Sequence, residues 1–549
     1  MPAKRPAREE NVDMKRQQTL AGTGTLLLFM LRRDRITVPV WMLSIILLVL
    51  ATLASFESLY PTEEARQDMA ATMLNPAAIA LTGPGFYLED YTIGAMISHQ
   101  MIGMTGIATG LMSIILVIRH TRKEEETGRV ELVRASVTGR HAHTTAALLL
   151  VLGVNVVLAL LLALGMGGMG IDSVTWEGSF LFAASLASVG IVFASIAIVL
   201  AQLTEHARGA TGLGVGILVA AYGLRAAGDI GNGSLSWLSP IGWAQQTSAY
   251  VDNMWSPLLL SAGLSVLLVA IAYPLSSRRD VGAGMVRPRR GRSEASKALT
   301  SPIGLAFRLQ RTNLLVWSFA MLLIGMSYGS FIGEAENMMD AMGDALHNML
   351  PETGNALFAD SIAGMFMTVT AIIASIPALQ TVLRLRTEEK EGRIDMLLSG
   401  AVSRTRLLGS YFILAFIYCV ALMFMAGLGM GIAGSQSMND SGYLPDLIIA
   451  GLNFVPALWV GIGLAAALIG WFPRAAASSW LITIYSFIAV YLGGILQLPE
   501  WMMRLSPFHF VPRLPADAFE WPPLLGLTAV ALLLAIAGWS GFRQRDLNG

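Results

Sequence analysis

Cysteine is nearly missing from this chain. The single one, Cys419, lies inside an apolar run, which excludes an intramolecular disulfide and a cysteine-based metal site and makes it a small buried hydrophobe. Charge is scarce too: Asp, Glu, Lys and Arg make up 13% of the 549 residues against 54% apolar ones. Mean hydropathy is +0.60, whereas an ordinary soluble domain is about a quarter charged. Water is therefore not the solvent for most of the surface. No Gly-Lys pair occurs anywhere, so the phosphate-cradling loop of an ATPase is absent. The seven histidines are scattered and none stands in an H-E-x-x-H spacing, which argues against a metal and against a membrane-embedded enzyme. No nucleic-acid partner is expected. The first apolar run follows about 35 mostly polar and basic residues, unlike the short charged start of a signal peptide. Residues 1–18 are expected to form a disordered cytoplasmic tail.

What is abundant is apolar sequence of membrane length. A bilayer core of about 30 Å is crossed by about 20 apolar helical residues, and hydrocarbon admits no unpaired backbone. Twelve stretches qualify, near 36–56, 94–118, 145–168, 179–202, 209–227 and 257–275, then near 312–332, 361–383, 408–433, 447–470, 475–496 and 522–541. The fold class is all-α, a polytopic membrane protein of about twelve helices. Counting each basic residue by loop, all of the 37 Lys and Arg fall on one side except Arg66, Arg225, Arg504 and Arg513. The loop 333–360 holds no Lys or Arg, whereas the loop 277–311 holds nine. The positive-inside rule then puts both termini in the cytoplasm.

The two halves repeat one pattern. Arg32-Arg-Asp-Arg35 with Trp41 returns as Arg308-Leu-Gln-Arg311 with Trp317, at an offset of 276. Gly128-Arg129 and Leu164-Gly-Met-Gly167 return as Gly392-Arg393 and Leu428-Gly-Met-Gly431, at 264. Leu238-Ser-Pro240, Trp255 and Arg279-Asp280 return as Leu505-Ser-Pro507, Trp521 and Arg545-Asp546, at 266 to 267. Six helices are an even number, so both halves enter from the same side as a parallel repeat. The expected organisation is a six-helix half over 19–280, a basic cytoplasmic linker over 281–299 and a second half over 300–549.

The most informative segment follows the second span of each half. Arg122-Lys-Glu-Glu-Glu-Thr-Gly-Arg-Val-Glu-Leu132 reappears as Arg386-Thr-Glu-Glu-Lys-Glu-Gly-Arg-Ile-Asp-Met396. Each glycine can end the emerging helix in the left-handed conformation that other residues resist. A short helix can restart at the arginine, with Val130, Val133 and Val137 on one face by their spacing. Held rigidly below a span, such a helix suits docking to a cytoplasmic partner. Orientation alone needs basic charge and does not require a repeated Glu-x-x-Gly-Arg-x-acid order. The candidate residues are Glu124, Glu125, Gly128, Arg129 and Glu131, with Glu388, Glu389, Gly392, Arg393 and Asp395. Glu125, Glu389, Arg129 and Arg393 are expected to be exposed, so that replacing them costs no more than about 0.5 kcal/mol of stability.

These residues resemble the cytoplasmic coupling element of type-2 ABC exporter permeases, and the doubled length resembles the subfamily of polyketide antibiotic exporters. The resemblance implies a permease of the bacterial cytoplasmic membrane that exports amphiphilic compounds. It implies two copies of a separate ATPase, which would carry the ATP and Mg, with no cofactor on this chain. It also implies a short interfacial helix before the first span of each half, at about 24–35 and 300–311. The alternative is a proton-coupled secondary drug transporter. Its usual intramembrane carboxylate is not found at the centre of any span. Candidates for the substrate pathway are His99, Gln100 and Met104 in the first half and Thr368, Thr370, Ser479, Thr483 and Tyr485 in the second. His99 also reads as a hydrogen-bonded packing histidine, and the 29 methionines as packing or as an adaptable apolar surface.

Overall fold

The computed structural model describes residues 19–74, 76–134, 138–279, 282–286, 293–333, 354–399, 402–438, 440–492 and 499–544. The regular structure of these residues is all helical, with no strand among them. They fall into two compact units, Met1–Arg290 and Gly291–Gly549.

In the first unit, α1 (Thr23–Arg33) leads into α2 (Thr37–Leu59), followed by the short α3 (Glu63–Thr72) and α4 (Pro76–Leu81). Next come α5 (Ile93–His120), α6 (Arg122–Glu126), α7 (Arg129–Arg134), α8 (Ala142–Gly167), α9 (Trp176–Leu203), α10 (Ala207–Ile230), α11 (Pro240–Gln245) and α12 (Pro257–Arg278). Side chains cap the two innermost helices: the Thr92 hydroxyl accepts from the Ala95 N–H at 3.2 Å, and Thr175 accepts from Gly178 at 3.2 Å. Helices α5 and α9 are buried over most of their length, whereas α2, α10 and α12 leave most of their surface open. Helix α9 packs against α5, α8, α10 and α12. Its run of Ala, Ser and Gly between larger apolar residues lets neighbouring backbones come close, as membrane helices require where lipid is as apolar as the core.

The second unit contains α13 (Pro302–Ile332), α14 (Gly354–Lys390), α15 (Arg393–Leu398), α16 (Arg404–Ser437), α17 (Tyr443–Asn453), α18 (Val455–Trp471), α19 (Trp480–Phe487), α20 (Glu500–Met503) and α21 (Trp521–Gln544). Here α13 and α16 form the most extensive helix pair. A Cβ at Gly325 would collide with the Ala426 carbonyl oxygen, and one at Gly429 with that of Leu322. Only glycine permits that approach. Cys419, on α16, is fully buried.

Eleven helices are long and apolar enough to cross a membrane among the described residues. The remaining stretch, 475–496, is broken. It opens as a 3-10 helix over Pro473–Ser479, continues as α19 for eight residues, and loosens into a π turn over Ile488–Leu492. Its end, 493–498, lies outside the described residues. Successive changes of hydrogen-bond register leave no single long α-helix there.

The two halves also begin differently. In the first, α1 is separate from α2, because Pro39 has no N–H for the Arg35 carbonyl and its ring crowds that turn; Val38 bonds back to Asp34 at 3.0 Å and Val40 to Ile36 at 3.1 Å, with position 39 omitted. In the second, Leu315 stands at the corresponding position, and α13 runs unbroken for 31 residues. The separate helix expected over 300–311 is thus the first part of a continuous one. Gly429→Val should lower the stability of the purified protein by about 2 kcal/mol through overpacking. Thermal denaturation in detergent reads this, and an unchanged melting temperature would contradict the close approach of α13 and α16.

Candidate functional site

Helix α5 passes through Thr121 into α6, and α14 runs straight through the equivalent residues. Both end in the same way. The Thr127 and Gly128 amides bond to the Lys123 and Glu125 carbonyls at 3.1 and 3.0 Å. Glu391 and Gly392 bond to Thr387 and Glu389 at 3.1 and 3.0 Å. Gly128 takes φ +71° and Gly392 φ +69°, the left-handed turn that relieves the last carbonyls of a helix. A new short helix starts at once with Arg129 or Arg393. The next residue, Val130 or Ile394, is buried and seats the turn.

Charge closes each elbow. Arg129 reaches back to Glu124 at 3.6 Å, and Arg393 makes the same ion pair with Glu388, which also accepts from Arg384 Nε at 2.6 Å. Glu124 is further held by Arg33 of α1 at 2.5 Å. One residue on, Glu125 pairs with Arg122 at 2.6 Å, and its counterpart Glu389 with Arg386 at 3.0 Å.

In the first half this inner pair becomes a knot. Arg279, just past α12, grips both oxygens of Glu125 at 2.5 and 2.6 Å and also donates to Gln202 of α9 at 2.8 Å. Arg122 donates to the carbonyls of Glu205, Gly282 and Ala283 at 2.7, 2.6 and 3.1 Å. Three stretches that are distant in sequence, 122–125, 202–205 and 279–283, thus meet on one carboxylate and two guanidinium groups. Charge-assisted, bidentate bonds of this kind fix geometry as well as energy.

The family model of the multidrug efflux system permease Rv1217c C-terminal domain matches residues 24–274 and 299–543. The multidrug efflux system permease protein Rv1217c of Mycobacterium tuberculosis is 36% identical over 535 residues, spanning 96% of this chain and 95% of the relative. The chain belongs to this family of multidrug efflux permeases. It is therefore a transport protein with many membrane helices rather than an enzyme.

In this permease the elbow residues divide into two kinds. The side chains of Arg129 and Arg393 are 61% and 47% exposed, and Glu131 is exposed. Glu124, Glu125, Glu388 and Glu389 are not: their side chains are between 4% and 10% exposed. The expectation that Glu125 and Glu389 lie open to solvent is corrected here. They are the inner halves of ion pairs, because the helix carries them back under the elbow. The backbone of Asp395 lies in α15. Val137 lies outside the described residues, and the side chain of Val133 is likewise not described.

The pathway candidates do not gather into one site. His99 is fully buried, with Nδ1 2.9 Å from the Tyr91 hydroxyl and Nε2 3.2 Å from both the Thr82 hydroxyl and the Gly83 carbonyl. It is a packing histidine that holds the connection before α5. Gln100 donates to the same Tyr91 hydroxyl at 3.0 Å, while Met104 is exposed. Thr368, Thr370 and Ser479 return their hydroxyls to carbonyls of their own helices, and Tyr485 donates to Met502 at 2.5 Å. Thr483 and Ser375 do meet, at 2.9 Å.

Beside His99 lies a group that sequence reasoning passed over. Buried Arg225 pairs with Asp229 at 3.2 Å, donates to the Leu81 carbonyl at 3.2 Å and lies 4.3 Å from the Tyr222 ring centroid. Ser236 donates to Asp229 at 2.6 Å. The available signal was an Arg and an Asp four residues apart near the end of an apolar helix. Nearby, burial raises the Tyr87 and Tyr91 phenols above their ordinary range, so both remain neutral donors.

Removing Glu125 leaves two buried guanidinium groups without their shared carboxylate. Glu125→Ala should cost about 3 kcal/mol, as for breaking a buried ion pair, whereas Arg129→Ala should stay within about 0.5 kcal/mol. Unfolding of the purified variants in detergent compares the two. Equal stabilities would dissolve the distinction between inner glutamate and outer arginine.

Proposed function

We propose that this permease is the transmembrane subunit of an ATP-driven exporter of the type-2 ABC class, and that the two elbows receive the push of a separate ATPase. It expels amphiphilic antibiotic-like, drug-like or lipid compounds across the bacterial cytoplasmic membrane, with both termini and both elbows on the cytoplasmic side. The carrying observation is the elbow pair: the same left-handed glycine, the same returning arginine and the same buried inner glutamate occur 264 residues apart. A rigid lever with an exposed arginine is suited to transmitting force. The sequence has no phosphate-cradling loop, so ATP and Mg belong to the partner. The multidrug efflux description of the Mycobacterium tuberculosis relative supports export of more than one drug-like compound.

A proton-coupled mechanism would call on a buried carboxylate. Asp34 and Asp229 are buried, but each stands at a helix end and is held by an arginine: Asp34 by Arg119 at 2.9 Å and Asp229 by Arg225. His120 also bonds to Asp34. Carboxylates neutralised in this way support structure better than a proton relay, and the ATP-driven reading is preferred.

Arg129→Cys combined with Arg393→Cys should leave expression and folding intact and abolish export, since charged interface contacts are worth about 2–5 kcal/mol. With Cys419 buried, an impermeant thiol reagent outside cells should leave the new cysteines unlabelled. Full drug resistance in the double variant, or labelling from outside, would end this assignment.

One chain carries both elbows, so a single copy should assemble with two ATPase subunits. Native mass spectrometry of the complex isolated from membranes reads that ratio. Two permease chains per two ATPases, or no ATPase partner at all, would be incompatible with it.

A further inference from the structure

The elbow of the first half borders a cleft of about 1010 Å³ between α5, α6 and the start of α10. Five cations line it, Arg33, Arg119, Lys123, Arg129 and Arg208, against two carboxylates, Glu124 and Glu126. Those carboxylates are already engaged. Glu124 serves Arg33, and Asp34 serves Arg119 at 2.9 Å; Glu126 faces His206 at 3.5 Å and accepts from the Ala207 amide at 3.2 Å, where the amino end of α10 draws negative charge. Lys123 and Arg208 are exposed and pair with no carboxylate among the described residues, and Arg129 has only its loose 3.6 Å contact. The cleft therefore holds uncompensated positive charge.

Its walls are not those of a surface patch. Ile115 and Ile118 of α5 line it on one side and Ala207 and Thr211 of α10 on the other. Ile115 lies five residues inside the end of α5 and Thr211 four inside the start of α10, which at about 1.5 Å per residue is about one turn into each span. A charged rim over an apolar wall at that depth fits an amphiphile with an anionic head. A soluble acidic protein segment would have to bury polar backbone there.

We propose that this cleft binds the phosphate head of an anionic membrane phospholipid, with Lys123 and Arg208 as the principal cations and Arg129 as a third. The second half keeps Arg393 for Arg129 but not three other cations of the rim. At the positions matching Arg33, Arg119 and Lys123, the second half has Leu309, Leu383 and Thr387. The proposal does not depend on how transport is powered.

The test uses the full-length protein in mixed micelles and the fluorescence anisotropy of head-labelled phosphatidylglycerol. Lys123→Gln with Arg208→Gln should weaken binding about 30-fold, at about one factor of five per cation near a membrane surface. Arg474→Gln, which removes an exposed basic residue from the second half, should leave it unchanged. Labelled phosphatidylcholine should bind neither protein above the micelle background. Phosphatidylcholine bound as well as phosphatidylglycerol, or a double variant that binds as wild type does, would overturn the proposal. Displacement by millimolar inorganic phosphate would point to a free phosphate ligand instead and also overturn it. So would loss of export in the double variant with lipid binding intact, which would give the cleft to an acidic partner segment. A size-exclusion profile and melting temperature matching wild type confirm that the double variant is folded.

Discussion

A carboxylate at the end of a membrane helix must be solvated or paired, and the elbow of the first half depends on how Glu125 resolves that. Water is largely kept out, since its side chain is 10% exposed. The charge is met instead by Arg122 from its own helix and Arg279 from beyond the sixth span. Because those arginines also hold Gln202 and the carbonyls of 205, 282 and 283, one ion-pair knot sets the relative positions of the ends of α5, α9 and α12. Pairing at low dielectric is strong only where geometry is nearly ideal and every remaining donor is used. Arg122 and Arg279 use theirs on backbone oxygens and on Gln202. The elbow therefore moves with three helix ends rather than as a loose loop.

The two halves keep the elbow and vary its surroundings. Pro39 breaks the first entry helix, and the turn it creates brings Asp34 onto Arg119 and His120 and Arg33 onto Glu124. The second half has Leu315 and Gln310 at the positions of Pro39 and Asp34; its entry helix is continuous and packs on α16 through close glycine contacts. Arg225, Asp229 and His99 brace the far end of the first unit, and the residues that correspond to them are apolar or hydroxyl-bearing. Retention of the left-handed glycine and its returning arginine amid so much change places the constraint on the elbow itself.

Much of this was legible in the sequence. Span lengths and the positions of Lys and Arg follow from the cost of polar groups in hydrocarbon, and a glycine between a glutamate-rich helix end and an arginine signals a left-handed stop. The burial of Glu125 was not legible, because its decisive partner, Arg279, is 154 residues away and reads as one more basic residue after a span. The Arg225–Asp229 pair was missed for the opposite reason. Its members are adjacent on one helix, but a count of charge by loop treats Arg225 as an exception to be discarded. The break in 475–496 escaped because hydropathy reports apolar length and is blind to changes of hydrogen-bond register.

Within the Glu-x-x-Gly-Arg segment, neighbouring charges therefore have opposite duties. A partner that docks on the elbow can reach Arg129 and Glu131 but not Glu125, which is already committed to the knot. Under the proposed coupling, force applied at the exposed arginine would pass through the left-handed glycine into Glu124 and Glu125, and from them to α1, α9 and α12 through the ion pairs that link these residues. A glycine is usually a hinge that would absorb such a push. Here it is bracketed by an ion pair that crosses it, Arg129 to Glu124 or Arg393 to Glu388, so the turn is braced on both sides. The bracing is tighter in the second half, where Arg393 bonds directly to Glu388 and also to Glu391, a position held by Thr127 in the first. Under the proposed ATPase coupling, two elbows of the same design but different bracing would respond unequally to the same stroke, even against two identical ATPase subunits.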